Sequence, residues 1–154
     1  PEYAGVVAAV RHLANYMKQK GQYFLFETGQ ETPVTLLRAI GDIGTGNLGV
    51  NFDTANLILY GKANSVDAAR MLGKYVRNLH IKDGLYPADG RSLGREVPLG
   101  QGEAHIEEVL RVLYSFGYAG PLTIEREISG AEQARDIAAA RDLLRELSIR
   151  AGRD

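Results

Sequence analysis

The sequence predicts an α/β fold in which parallel strands alternate with helices that lie on the outside. Short apolar segments alternate along the chain with longer segments of helical periodicity, and this order favours a parallel sheet with right-handed crossovers. Each strand-like segment also ends near an ionisable residue. The apolar residues of the segment lie an odd number of positions away from it, so in a strand they face the opposite side. Because side chains alternate faces along a strand, the apolar face is expected to be covered by the helices.

The composition fits one globular domain and excludes several kinds of site. The 154 residues include 18 basic and 19 acidic side chains, so a net charge of −1 gives no electrostatic argument for binding nucleic acid or membranes. No apolar run approaches the roughly 20 residues of a membrane span. The absence of cysteine excludes disulfides, thiolate zinc sites and a cysteine nucleophile. We expect a cytoplasmic protein.

The first part of the chain predicts two helices and two strands. A helix over residues 2–20 ends at Gly21, and "YFLFE" (23–27) follows as a strand. Thr32 before Pro33 indicates the start of a second helix, and "LGVNFD" (48–53) is the next strand. The apolar stripe expected to bury the first helix consists of Val6, Val10, Leu13 and Met17.

The second part repeats the pattern with one long insertion. Ser65 is expected to cap a helix through about residue 76, and Ser129 with Glu132 matches a capping box for the last helix, which runs to about residue 149. Between these lie a strand (77–83), a polar, glycine-containing stretch (84–102), a helix (104–117) and a strand (121–125). The strand ends are 26, 27 and 45 residues apart, and such a long inserted loop is usually functional or disordered.

Four residues of metal-ligand type end the four predicted strands. All four face away from the apolar side chains of their strands. This places them on the inner face of a βα barrel, at the C-terminal rim where barrel enzymes have their active sites. A single carboxylate at a strand end is more often a cap or a salt bridge. Three carboxylates around one centre repel each other, and a divalent ion such as Mn²⁺, Zn²⁺, Co²⁺ or Mg²⁺ would resolve the conflict. The four residues are Glu27, Asp53, His80 and Glu125.

Several segments around these residues resemble the sugar phosphate isomerase/epimerase family. The segments are "FETGQET", "NFDTANLILYG", "VRNLHIKDG", "GREVPLGQGEAHIEEVL" and "GPLTIERE". The resemblance runs from about residue 5 to residue 147, and its motifs are specific in combination. It implies the xylose isomerase-like TIM barrel, a fold shared with the ketose 3-epimerases and with endonuclease IV.

The resemblance, together with the length, predicts an incomplete barrel. A full (βα)8 barrel takes about 250 residues, whereas this chain supplies (βα)4, the C-terminal half of a TIM barrel with strands five to eight. We therefore expect residues 1–154 to form a single, incomplete domain. Its expected partner is a chain with the missing N-terminal half-barrel, or a second copy, unless the chain is a fragment. Open strand edges favour association over a well-folded monomer.

The resemblance also implies roles for individual residues. One divalent ion, Mn²⁺ first, would be held by Glu27, Asp53, His80 and Glu125, and Glu27 and Glu125 would act as the catalytic acid/base pair on a sugar. Several epimerases carry a histidine where this chain has Asn56, which cannot titrate near neutral pH. The other candidates for substrate binding are Lys82, which could hold an oxyanion or a phosphate from the inner face, and Arg95 of the long loop. A solvated or salt-bridged lysine and a plain loop arginine are equally consistent with the pattern.

These roles favour an isomerase or epimerase that transfers protons through a metal-stabilised enediolate. Three alternatives remain: an inosose-type dehydratase, an endonuclease IV-like hydrolase, and an inactive half-barrel that assembles with a partner. The hydrolase would need more histidine ligands and more basic residues than the chain has.

Two further motifs are interpreted as structural. "GTGNLG" (44–49) matches the dinucleotide fingerprint G-x-G-x-x-G, but it follows a helix and leads into a strand, the reverse of the required order. We interpret it as a helix-to-strand loop. His12 and His105 lie on predicted helices away from the strand ends, and we expect both to be structural or surface residues.

Overall fold

The structure is a computed structural model that describes residues 2–152. Helices and strands alternate through most of this range, as predicted. In chain order the elements are α1 (Glu2–Lys18), β1 (Phe24–Glu27), α2 (Pro33–Ile43), β2 (Leu48–Asp53), α3 (Asn56–Leu59), α4 (Ser65–Leu72), a 3₁₀ turn (Gly73–Tyr75), β3 (Val76–Ile81), β4 (Asp83–Leu85), β5 (Arg95–Val97), α5 (Ile106–Ser115), β6 (Leu122–Ile124) and α6 (Ala131–Arg150). Within residues 2–152 no helix has the length and apolar character needed to cross a bilayer.

Four strands form one parallel sheet in the order β1-β2-β3-β6. The predicted parallel sheet is therefore confirmed, and each of its strands overlaps a predicted strand. β1 and β6 lie at the two edges. The antiparallel pair β4-β5 stands apart from this sheet.

The core lies on one face of the sheet. Val50, Phe52 and Leu79 are completely buried, and they pack in one cluster with apolar side chains of the helices, such as Leu110 and Leu113 of α5. Burial of this kind contributes about 25 cal/mol for each Å² of apolar surface removed from water. The helices therefore cover the apolar face, as the alternation of side chains predicts, and the other face carries the polar positions.

Helix α2 has the ends that the sequence predicts. The Thr32 side chain accepts a hydrogen bond from the Thr35 amide at 3.3 Å, and Pro33 occupies the first helical position. Gly44 ends the helix with φ 65°, a left-handed conformation that glycine adopts without steric cost. Because Gly44 closes α2 and Leu48 opens β2, "GTGNLG" is indeed a helix-to-strand loop.

The predicted cap of the following helix is wrong by one residue. Asn64 is the N-cap of α4, since its side chain accepts hydrogen bonds from the amides of Val66 and Asp67 at 2.9 and 3.2 Å. The Ser65 hydroxyl instead donates to the buried carbonyl of Thr54. The helix also ends earlier than predicted, at Leu72, because a 3₁₀ turn leads into β3.

The capping box proposed for the last helix is also wrong. Gly130 is the N-cap of α6, with φ 85°, and no side chain bonds to the helix end. Ser129 therefore lies one residue too early to cap the helix.

Helix α1 buries a different stripe from the one predicted, and it ends at Lys18 rather than at residue 20. Its buried residues are Val7 and Ala14, whereas Val6 and Leu13 are about half exposed, at 56% and 50%. The helix is therefore rotated by about one position relative to the predicted stripe. Val10 and Met17 of that stripe are partly buried.

The long polar stretch contains the hairpin β4-β5, which periodicity could not reveal because each strand has three residues. The stretch is held in place by Asp83, whose buried carboxylate accepts hydrogen bonds from four backbone amides at 2.9–3.0 Å. The donors are Gly84, Gly100, Gly102 and Ala104. Asp83 is thus a structural anchor of this insertion.

Candidate metal centre

The C-terminal ends of the parallel strands carry the four residues of metal-ligand type. Glu27 and Asp53 are the last residues of β1 and β2, His80 is the penultimate residue of β3, and Glu125 directly follows β6. Asp53 and His80 are partners in the register of β2 and β3. Parallel register aligns the strand ends, so residues of equal parity meet on the polar face of the sheet.

These four side chains lie close enough to share one ion. One ligand atom from each can be chosen so that all four lie within 4.8 Å of one another. His80 Nδ1 lies 3.5 Å from Glu27 Oε1, 3.4 Å from Glu125 Oε2 and 4.0 Å from Asp53 Oδ2. The predicted convergence is therefore present in the structure, and a ligand role for the four residues stays a prediction.

Asp53 is the most deeply buried member of the group, with no exposed surface. Its Oδ1 accepts hydrogen bonds from the amides of Ala55 and Asn56 at 2.8 and 2.7 Å. Its Oδ2 is buried and has no hydrogen-bond partner within residues 2–152. Burial raises the pKa of Asp53 to about 7, more than the two amide hydrogen bonds and the nearby Lys82 lower it.

The orphaned oxygen fits a site for a cation. Lys82 Nζ lies 3.8 Å from this oxygen, too far for a hydrogen bond. A buried carboxylate oxygen without a hydrogen bond is costly, and a divalent ion among the four side chains would satisfy it while neutralising the carboxylates. Three carboxylates and one imidazole form a donor set that suits Mn²⁺, Mg²⁺, Zn²⁺ or Co²⁺. The cluster could therefore hold one such ion.

Asn56 and Lys82, two of the predicted substrate-binding residues, adjoin this cluster. The Asn56 amide group donates to Glu27 Oε1 at 3.4 Å and to the Thr28 carbonyl at 3.3 Å. Lys82 is buried, and its Nζ lies 2.5 Å from Glu127 Oε2, 3.2 Å from Glu125 Oε2 and 3.4 Å from Asn56 Oδ1. The salt-bridged alternative for Lys82 is thus the arrangement observed.

The charges around Lys82 determine the protonation of this part of the rim. Burial acts to lower the pKa of Lys82, but Glu127, Asp53 and Glu125 together outweigh it and raise that pKa. For Glu125, burial acts to raise the pKa, but the adjacent Asp53 carboxyl group, the Lys82 ammonium and the neighbouring His80 lower it overall. An ammonium and an ionised Glu125 therefore stabilise each other.

Arg95, the third predicted substrate-binding residue, is not part of the cluster. It lies exposed on β5, opposite Leu85 of β4. Within the described residues its side chain has no hydrogen bond or ion pair with the four residues of the cluster. His12 and His105, which we expected to be structural or surface residues, are both exposed and lie outside the cluster.

Two further residues of the site were not predicted from the sequence. The Asn51 amide nitrogen lies 3.1 Å from His80 Nε2 and 3.4 Å from Glu27 Oε2. Glu127 is bonded to Lys82, and its side chain is 63% exposed. Asn51 lies two residues before Asp53, and Glu127 lies two residues after Glu125. Residues two positions apart share a face of a strand, so the same alternation of side chains could have identified both.

A second network joins the hairpin to the segment after β6. The Arg126 guanidinium lies 2.9 Å from Glu96 Oε1 of β5 and 2.8 Å from Asp136 Oδ2 of α6. Glu96 also accepts a hydrogen bond from the Glu127 amide at 3.1 Å. This network holds in place the segment that carries Glu125 and Glu127.

A profile of the family described as "Xylose isomerase-like TIM barrel" matches residues 1–147. The chain belongs to the xylose isomerase-like TIM barrel family. The parallel sheet with outer helices is thus part of a barrel fold, and the polar rim of the sheet corresponds to the face where such barrels carry their active sites.

Solved structures agree with this assignment. The xylose isomerase domain protein from Planctomyces limnophilus is 43% identical, with a TM-score of 0.91 over 96% of this chain and 54% of that one. A xylose isomerase-like TIM barrel protein from Mycobacterium smegmatis, in complex with magnesium, is 19% identical, with a TM-score of 0.78 over 97% of this chain and 52% of that one. The chain therefore spans about half the length of these relatives.

The family's fold is also that of known epimerases. D-psicose 3-epimerase from Clostridium cellulolyticum H10, solved with D-tagatose, has a TM-score of 0.72 and 18% identity over 95% of this chain and 56% of that one. At this identity the likeness shows the shared fold of a xylose isomerase-like TIM barrel.

Proposed function

We propose that the protein is a divalent-metal-dependent isomerase or epimerase that moves a proton next to the carbonyl of a sugar. The single observation that carries this proposal is the meeting of three carboxylates and one imidazole around the unpartnered Oδ2 of Asp53. Epimerases with the same fold add support.

Glu27, Asp53, His80 and Glu125 would hold the ion, with Mn²⁺ as our first choice among the ions that suit them. When bound, the ion would supply Lewis-acid chemistry, because it would polarise a carbonyl and stabilise negative charge on the neighbouring oxygens. The chain's own residues would position the substrate and carry the proton.

Glu27 and Glu125 are suited to transfer the proton from two sides. They come from β1 and β6, the two outer strands of the sheet, so their side chains reach the cluster from opposite sides. One carboxylate would take the proton from the carbon beside the carbonyl, and the other would return a proton to that carbon. Although burial acts against it, the adjacent Asp53 carboxyl, Lys82 and His80 lower the pKa of Glu125, which favours the ionised form that can accept a proton.

Asn56 would orient the substrate. Its amide group already lies within hydrogen-bonding distance of Glu27, so it could bind a sugar hydroxyl beside the acid/base pair. An amide can donate and accept without changing charge. The position therefore contributes orientation and no proton transfer.

Exchange of solvent deuterium into ketoses tests this function. The purified protein is incubated with Mn²⁺ and a panel of ketoses in D₂O, and exchange at the carbon beside the carbonyl is followed by NMR. We expect exchange with the wild type, and a loss of about 10²–10⁴-fold in Glu125→Gln. Glu108→Gln is the matched control, since Glu108 is an exposed residue of α5.

Two results would contradict the proposal. One is exchange that Glu125→Gln leaves unaffected, and the other is calorimetry that detects no divalent ion bound to the wild type. Analysis of the products separates epimerisation from dehydration, because both begin with the same proton abstraction.

A further inference from the structure

We propose that the site takes uncharged sugars or polyols in preference to phosphorylated ones, and that Glu127 sets this preference by occupying Lys82. The inference rests on the proposed function and names the substrate class of the same site.

In TIM barrels a phosphate group is frequently bound by the loops after strands seven and eight. Under the predicted strand assignment, the corresponding segments follow β3 and β6, which places them at residues 82–105 and 125–130. Their buried cationic side chains are Lys82 and Arg126. A phosphate group held by a buried cation at this rim would need at least one of the two.

Lys82 has no donor left for a phosphate. An ammonium has three N–H donors, and Lys82 Nζ has three hydrogen-bond acceptors, Glu127 Oε2 at 2.5 Å, Glu125 Oε2 at 3.2 Å and Asn56 Oδ1 at 3.4 Å. Its side chain is 1% exposed, and Glu127 lies on the solvent side. A phosphate would have to displace Glu127 to reach the ammonium.

Arg126 is also tied to carboxylates, through ion pairs rather than a full set of hydrogen bonds. Its guanidinium pairs with Glu96 and Asp136, both of which are themselves largely buried. These pairs join β5 to α6, so their loss would also release the hairpin. Arg126 is therefore committed to holding the fold around the rim.

The remaining charge at the rim is negative. Four carboxylates lie there, those of Glu27, Asp53, Glu125 and Glu127. Lys82 and one divalent ion would offset three of these charges, which leaves one negative charge because a histidine binds a metal through its uncharged imidazole. A phosphate dianion would meet this charge in a partly desolvated site, and contacts between like charges are costly there. A sugar hydroxyl, in contrast, can donate to these carboxylates.

Arg91 and Arg95, two exposed arginines of the hairpin segment, are the other cations that could bind a phosphate. If either one bound a phosphate, its replacement would weaken the binding of a phosphorylated ligand alone. The double variant Arg91→Gln/Arg95→Gln is therefore one arm of the test.

Calorimetry with two ligands that cannot react tests the inference. The Mn²⁺-loaded protein is titrated with a hexitol and with the 6-phosphate of the same hexitol. We expect the hexitol to bind at least about tenfold more tightly. Because a polyol has no carbonyl, this measurement does not depend on the proposed reaction. Tighter or equal binding of the phosphate would overturn the inference, as would a failure of both ligands to bind.

Glu127→Gln tests the role of Glu127 itself. This change removes the charge that occupies Lys82 and keeps a side chain of similar size, so the preference for the hexitol should shrink by about tenfold. Glu146→Gln, an exposed position of α6, is the matched control and should leave the preference unchanged. An unchanged ratio in Glu127→Gln would assign the preference to other groups and overturn this part of the inference.

The exchange experiment on ketoses is run in parallel, so that the two proposals can fail separately. Selective binding of the hexitol with no exchange in any ketose would overturn the proposed reaction and leave the ligand class standing. Exchange that is as fast in a ketose phosphate as in the free ketose would overturn the ligand class and leave the reaction standing.

Discussion

Asp53 combines burial with an unsatisfied oxygen, and no other residue of the cluster does so. A carboxylate in this position is unfavourable unless it is protonated or bound to a cation. Burial raises the pKa of Asp53 to about 7, so a proton and a cation would compete for this carboxylate near neutral pH.

The affinity of the site for Mn²⁺ should therefore depend on pH. Because the pKa of Asp53 is raised above its ordinary value of 3.8, the stability it contributes to the metal-free protein is fully present below that value and is lost as the pH rises through about 7. Binding of the ion must displace the same proton, so the apparent affinity should fall about tenfold for each pH unit below 7. Calorimetry over a series of pH values measures this slope.

Asp53→Asn is the control for this dependence. It should bind Mn²⁺ more weakly. Binding of the ion should release about one proton fewer, so its affinity should depend less steeply on pH. Equal slopes in the wild type and the variant would show that other groups control the binding.

Lys82 is a second residue whose environment leads to a prediction. Removing one partner from a buried group of charges leaves the others uncompensated, which typically costs 3–5 kcal/mol. Because Glu125 and Glu127 are partly exposed, at 29% and 63%, we expect Lys82→Met to lower the free energy of unfolding by about 2–3 kcal/mol. Urea denaturation without metal measures the loss.

Saturating Mn²⁺ should recover part of this loss, because the ion supplies positive charge to the same carboxylates. Lys62→Met, at an exposed position, is the matched control and should change stability by less than about 0.5 kcal/mol. A deficit in Lys82→Met that Mn²⁺ does not reduce would argue against a shared electrostatic centre.

At the scale of elements, β2 and β3 meet through an irregular register. Val50 pairs with Val76 and Asn51 pairs with Asn78, so Arg77 is an additional residue in β3. A Cβ atom on Gly49 would lie 2.7 Å from Leu25 Cδ2 and 2.9 Å from Arg77 Cγ. It would also lie 3.1 Å from the backbone oxygen of Tyr75, so a larger residue here requires a shift of its neighbours.

We expect Gly49→Ala to destabilise the protein by about 1–3 kcal/mol, since those side chains must shift to admit a methyl group. The measurement is the midpoint and slope of urea denaturation. Gly41→Ala in α2 is the contrasting variant, because no atom lies within 4 Å of its Cβ position. It should stabilise the protein by about 0.5–1 kcal/mol. A Gly49→Ala variant as stable as the wild type would contradict the described packing.

The prediction of elements succeeded where a segment was long or strongly patterned. β2 was predicted with its observed bounds, and the start of α2 at Thr32 and Pro33 was also correct. The hairpin β4-β5 was missed, because its short strands are held by Asp83 and Arg126 through contacts distant in sequence. The buried stripe of α1 was misassigned, because apolar residues occupy more than one of its faces.

At the scale of the whole molecule, the sheet has two open edges. Within residues 2–152, β1 and β6 each pair on one side only. Tyr23 and Leu25, beside the β1 edge, are 48% and 37% exposed. Unpaired edges with exposed apolar side chains favour association.

We propose that this 154-residue chain associates, either with a second half-barrel or with another copy of itself. Light scattering on the eluting protein should give a mass above the 16.8 kDa of one chain. Replacement of Leu25 by Lys should reduce the association of copies, because a charge then lies beside the open edge. A monodisperse particle of 16.8 kDa that unfolds cooperatively would contradict the proposal.

The local pattern of the chain was enough to predict the parallel sheet, the covered face and the meeting of Glu27, Asp53, His80 and Glu125. The alternation of side chains and the order of the strands can be read from the sequence, and the parallel register then aligns the strand ends at one rim of the sheet. The burial of Lys82, its pairing with Glu127, the contact of Asn51 with His80 and the orphaned oxygen of Asp53 depended on the folded chain. These features arise from distances between segments far apart in sequence, and the desolvation that sets their charges exists only after those segments pack together.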